Sequence, residues 1–123
     1  MKSLTITIGW RAFSYFGRLL SRAQVVELQE ILPDIQSHLT DEEYDQLLSL
    51  DLLMRGQLRD RAALKAGRED LWLAVEVSGV VDRREVERAQ RRAALLRKAG
   101  LRVIAIAAGR QVTRGAQALA RIN

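Results

Sequence analysis

Glu76 stands in the middle of Leu71–Val81, LWLAVEVSGVV, a nearly continuous apolar run. Such a run predicts a central strand buried on both faces, where an ionised carboxylate is costly unless something pairs with it. A second acid, Asp51, lies in LLSLDLLMRG. There Leu50, Leu52 and Met54 alternate against Asp51, Leu53 and Arg55, which predicts a strand between Ser49 and Leu58. Two carboxylates brought together on paired strands can share a divalent cation such as Mg²⁺. A metal held that way polarises a scissile phosphate and lowers the pKa of a bound water, so phosphodiester hydrolysis is the chemistry that fits. The other reading is an ion pair between Glu76 and Arg55, or between Glu76 and an arginine of the helix over residues 82–99, with Asp51 capping or facing solvent.

These two acids need a scaffold, and the rest of the chain supplies one. Asp82 and Glu85 form a capping box, and Val86, Ala89, Ala93 and Leu96 then mark one face of a helix that ends at Gly100. Leu101–Ala108, LRVIAIAA, is a second buried-strand pattern, so residues 71–108 read as β-α-β. Thr40 with Glu43 is another capping box and predicts a short helix to about Leu48. Over residues 10–22, Phe13, Phe16, Leu19 and Leu20 predict an amphipathic helix with Arg18 and Arg22 outward; its apolar stripe suits a core or an oligomer contact better than a base-stacking platform. Residues 25–32 fit either a short edge strand or a helix that Pro33 ends or kinks. Residues 59–70, with Gly67, form a hairpin connection, and a last helix starts near Thr113.

Length and composition suit one domain over residues 1–123: 48% of the side chains are hydrophobic, enough to fill a single core. The chain has no cysteine and one histidine, His38, which excludes a disulfide framework and a thiolate zinc site. Residues 1–8 are too short and too polar a run for a leader or a membrane span, so a cytoplasmic protein without a membrane partner is expected. The net charge of +5 is uneven: residues 1–81 carry 9 basic and 12 acidic side chains, and residues 82–123 carry 11 basic and 3 acidic. The basic half suits a nucleic-acid partner, since Lys and Arg that neutralise phosphates release counterions; it also suits a solvated helix face.

The succession of a strand with Asp51, a hairpin, a strand with Glu76-Val77-Ser78, a helix and a strand, from about Leu48 to Ala108, resembles the core of the PD-(D/E)XK, or restriction-endonuclease-like, nuclease superfamily. More narrowly, LDLLMRG, LWLAVEVSGVVDRREVERAQRRAALLRKAG and LRVIAIAAG resemble a bacterial branch of that superfamily. The resemblance implies an α/β fold, a small mixed β-sheet flanked by helices, with a nuclease-like core over residues 48–108 and a helical N-terminal part over residues 1–47. It implies that Asp51, Glu76 and the main chain of Val77 hold Mg²⁺ or Mn²⁺. It makes Asp51, Glu76 and Ser78 the catalytic set, with Ser78 in the place of the family's lysine. A serine hydroxyl carries no positive charge to stabilise charge developing on phosphate. Arg84, Arg88 and Arg91 are the residues expected to meet nucleic acid, DNA in preference, and to supply a migrated cation, while Gln90 would position a water or ligand. Residues 10–22 lack the acid that related nucleases often carry there, which leaves the metal two carboxylates. The function expected is a metal-dependent nucleic-acid phosphodiesterase with a degenerate site. The alternative is a silent nuclease fold serving as a nucleic-acid-binding or oligomerisation module. A homo-oligomer is expected, covering an apolar N-terminal helix and an open strand edge.

Overall fold

The structure is a computed structural model in which residues 5–9, 20–58 and 70–122 are described. Among the described residues nine elements follow in chain order: β1 (Thr5–Gly9), β2 (Leu20–Val25), α1 (Leu28–Ile35), α2 (Asp41–Leu48), β3 (Leu52–Leu58), β4 (Leu71–Val81), α3 (Arg83–Lys98), β5 (Val103–Val112) and α4 (Arg114–Ile122), with a 3₁₀ turn, Gln36–His38, after α1. The fold is mixed α/β. One five-stranded sheet has the order β1-β5-β4-β3-β2, with β1, β5 and β4 parallel and β3 and β2 antiparallel to their neighbours.

The two-residue repeat of the strands sorts the sheet into two clusters. Trp72, Ala74, Ala105 and Ala107 share one cluster with Ile31, Leu32 and Ile35 of α1, Leu47 of α2, Val86, Ala89, Ala93 and Leu96 of α3, and Ala116 and Ala120 of α4. Among the described residues the buried members of the other cluster are strand residues, including Leu73, Val75, Ile106 and Ala108. The alanines of β5 and α3 let helix and sheet approach closely, as small side chains at facing positions must for dense packing. Burial continues along the whole of β4 as far as Glu76, which explains the unbroken apolar run.

Helix ends are set by local chemistry. In α3, the Asp82 side chain accepts from the Arg84 N–H and the Glu85 side chain closes the capping box. Gly100, at φ 96°, ends the helix in the left-handed conformation that favours glycine. Arg97 then donates from Nε and Nη2 to the Val103 carbonyl, at 3.2 and 2.7 Å, fastening the end of α3 to the start of β5. The Thr40 capping box of α2 is also present.

Several sequence expectations shift. Leu20–Arg22, assigned to an amphipathic helix, belong to β2, and residues 10–19 lie outside the described residues. The helical reading of residues 1–47 is therefore corrected by β1 and β2, two strands of the common sheet. The strand expected from Ser49 begins at Leu52, because Ser49 and Leu50 donate back to Gln46 and Leu47 and close α2. Residues 25–32 resolve into the end of β2 and the start of α1, which carries Pro33 inside it at the loss of one helical bond. The hairpin connection expected over residues 59–70 lies, apart from Asp70, outside the described residues. β5 runs four residues past its expected end, since its pairing with β4 continues to Val81↔Val112. Gly109 makes that pairing feasible: a Cβ there would stand 2.2 Å from the Ser78 carbonyl oxygen.

Candidate acidic site at strand β4

β3 pairs with β4 only as far as Leu52↔Val75, so the next residues of β4 face the bend that leads into β3. Asp51 occupies that bend and takes over the pairing there. Its Oδ2 accepts from the Val77 N–H at 2.8 Å, and its own N–H donates to Glu76 Oε2 at 3.3 Å. The acids expected to meet on paired strands do meet, although Asp51 lies one residue before its strand. It is exposed, whereas Glu76 is 1% exposed.

The partner that Glu76 requires is Arg92, on α3. Its Nη1 lies 2.7 Å from Glu76 Oε1, and the Arg92 side chain is 12% exposed. The contact is a close ion pair rather than an aligned hydrogen bond, since Oε1 accepts none within the angular limits of one, and Arg92 Nε is likewise buried without an acceptor. Burial is the largest influence on Glu76 and pushes its pKa from 4.5 up to about 7; the neighbouring Asp51 carboxyl, able to share the proton, pushes in the same direction, and the Arg92 charge opposes both. Two neighbouring carboxyls, one buried, make a pair with a strong claim on any nearby positive charge.

The other residues singled out in the sequence lie elsewhere. Val77 contributes its N–H to Asp51. Ser78, the expected stand-in for a nuclease lysine, donates its hydroxyl to the Val80 carbonyl at 2.8 Å, a local bond within the end of β4. Arg84, Arg88 and Arg91 are exposed on the outward side of α3, and Arg84 leans on Asp82 at 3.8 Å. None of the three pairs with Glu76. Gln90 is half-buried, with an amide nitrogen that has no hydrogen-bond partner among the described residues. Arg55, the other cation considered for Glu76, pairs with Asp70 at 3.5 Å and lies over the Trp72 ring at 5.4 Å. Arg92 is the arginine of the 82–99 helix that answers the ion-pair reading of Glu76, which left its number open. Its position carried a signal: it follows Ala89 by three and precedes Leu96 by four, which places it at the flank of the buried stripe, whereas Arg84, Arg88 and Arg91 repeat at four and three on the opposite side.

These residues do not fit a resident divalent cation. The guanidinium already sits against one oxygen of Glu76, the Asp51 N–H takes the other, and a metal placed between the acids would meet the Arg92 charge at close range. Among the described residues no group of three or more His, Cys, Asp or Glu side chains converges on such a site. The arrangement neutralises a buried acid and ties three segments, the bend before β3, the middle of β4 and α3, into one unit, the first two by hydrogen bonds and the third by an ion pair. Among the described residues no helix is long and apolar enough to cross a membrane. The chain has no significant match among family models, curated proteins or solved structures.

Proposed function

We propose that this chain is a nucleic-acid-binding module on a nuclease-like fold whose acidic pair is closed by an internal counter-ion. The observation that carries the reading is the division of the α3 arginines: Arg92 turns inward to Glu76, while Arg84, Arg88 and Arg91 remain exposed together. The inward arginine occupies the acid that hydrolysis would need for a metal, and the outward three supply a phosphate-binding face that needs none. Ser78 agrees with this, as its hydroxyl is spent on Val80 and offers a scissile phosphate no charge. The metal-dependent nuclease reading rests on the contact between Asp51 and Glu76, and would require Arg92 to move away from Glu76.

Fluorescence anisotropy with labelled duplex and single-stranded DNA separates the two. Binding should persist in EDTA and weaken steeply as salt rises. Changing Arg84, Arg88 and Arg91 to alanine should flatten the log–log salt slope on duplex by about 0.9 for each phosphate no longer neutralised. Cleavage that requires Mg²⁺ or Mn²⁺ and disappears in Glu76→Ala would return the chain to the nuclease reading.

A further inference from the structure

A groove of about 230 Å³ opens between the start of α1 and the end of α2, lined by Val25, Leu28, Leu48 and Leu50 together with the acids Glu27 and Asp51. It is smaller than the roughly 300–1,000 Å³ that takes a drug-sized ligand, and suits a single long side chain. Two large apolar side chains stand exposed at its rim: Val25 is 60% and Leu48 49% exposed. Among the described residues no lysine or arginine lines it.

The charge around the groove selects the occupant. Residues 23–54 contain eight Asp and Glu and no Lys or Arg. Glu27, Glu30 and Asp34 recur at helical spacing along α1, and Asp41, Asp45 and Leu48 share one face of α2. Of these eight acids, only Glu43 has an ion-pair partner among the described residues, namely Lys98. The complementary surface belongs to the same molecule, whose residues 82–123 carry 11 basic and 3 acidic side chains. We infer that a second copy of this chain docks the Arg84, Arg88 and Arg91 face of its α3 onto this groove. An arginine stem would lie along Leu48 and Leu50, with its guanidinium directed to Glu27 and Asp51. The contact is heterologous: each copy keeps one groove and one arginine face, so assemblies lengthen with concentration unless they close into a ring. The inference stands apart from the nucleic-acid reading and shares only the arginine face with it.

Sedimentation velocity of the whole chain over rising concentration tests it. The average mass should climb at low salt and return to the monomer at high salt. The variants R84E/R88E/R91E and E27K/D45K, all at exposed positions, should each associate about tenfold or more weakly. An equimolar mixture of the two should associate again, because each restores the surface the other lacks. Leu48→Ser should also weaken association with no change in melting temperature, which covers the case of a charge variant that fails to fold. A parent chain that stays monomeric at low salt, association indifferent to salt, or folded charge variants that associate like the parent would each overturn the inference. Loss of DNA binding with self-association intact would overturn only the nucleic-acid reading.

Discussion

Arg91 and Arg92 are neighbours in sequence with identical side chains, yet one lies in water and the other beside a carboxylate that is 1% exposed. On the outward side of α3 an arginine can be exchanged with little consequence for stability, because solvent screens its charge. On the inward flank the same guanidinium is obligatory, since Glu76 without it would be a buried charge with one main-chain donor. The contrast shows that the function of a basic helix is decided by position around its axis, and that a count of its charges conceals two different roles.

The sharpest way to break the contrast is Arg92→Ala. Removing one partner of a buried pair typically costs about 3–5 kcal/mol, so the urea midpoint should fall far, while the double replacement Glu76→Leu with Arg92→Met should be near neutral or stabilising. A smaller effect concerns pH. Because the folded pKa of Glu76 is raised from 4.5 to about 7, the folded chain holds that proton more tightly than the unfolded one. Its contribution to stability is therefore complete below about pH 4.5 and is lost as pH rises through about 7. Glu76→Gln should abolish this part of the pH dependence, measured as the difference between urea midpoints at acid and neutral pH. The smallest effect on stability belongs to the outward residues: Arg88→Ala and Arg91→Ala should each stay within about ±0.5 kcal/mol in the same experiment, although together with Arg84→Ala they should alter the salt slope of the proposed DNA binding. If Arg91→Ala proved as damaging as Arg92→Ala, the division of the helix into two sides would collapse.

The helix from Asp41, the strand Leu71–Val81 and the helix that follows it were legible because their signals are local. The capping boxes Thr40–Glu43 and Asp82–Glu85 and the apolar run of β4 each specify structure from a few neighbouring residues. β1 and β2 were not legible. Thr5–Gly9 is a five-residue strand that becomes part of the sheet only by lying beside β5, about 100 residues away along the chain, and β2 pairs with β3 through an irregular register between Ser21 and Gln24. Pairings of that kind leave little trace in periodicity. The candidate site divides in the same way. That Glu76 needs a partner followed from its apolar surroundings, and the approach of Asp51 followed from strand order. Which arginine answers depends on the rotation of α3 over the sheet, which fixes Arg92 at the boundary between core and solvent.

Glu43 links two places that the chain keeps 55 residues apart. Its Oε1 accepts from the Thr40 N–H at 2.9 Å and from Lys98 Nζ at 2.6 Å, so one carboxylate oxygen both starts α2 and holds the last turn of α3. Lys98 and the Thr40 bonds keep its pKa below the usual value, so this double grip is present at neutral pH and is released as acid protonates it. The first turn of one helix and the last turn of another then share a single latch. Their amide protons should exchange with deuterium as one opening unit, and Lys98→Ala should speed exchange at the start of α2, a site the lysine reaches only through Glu43.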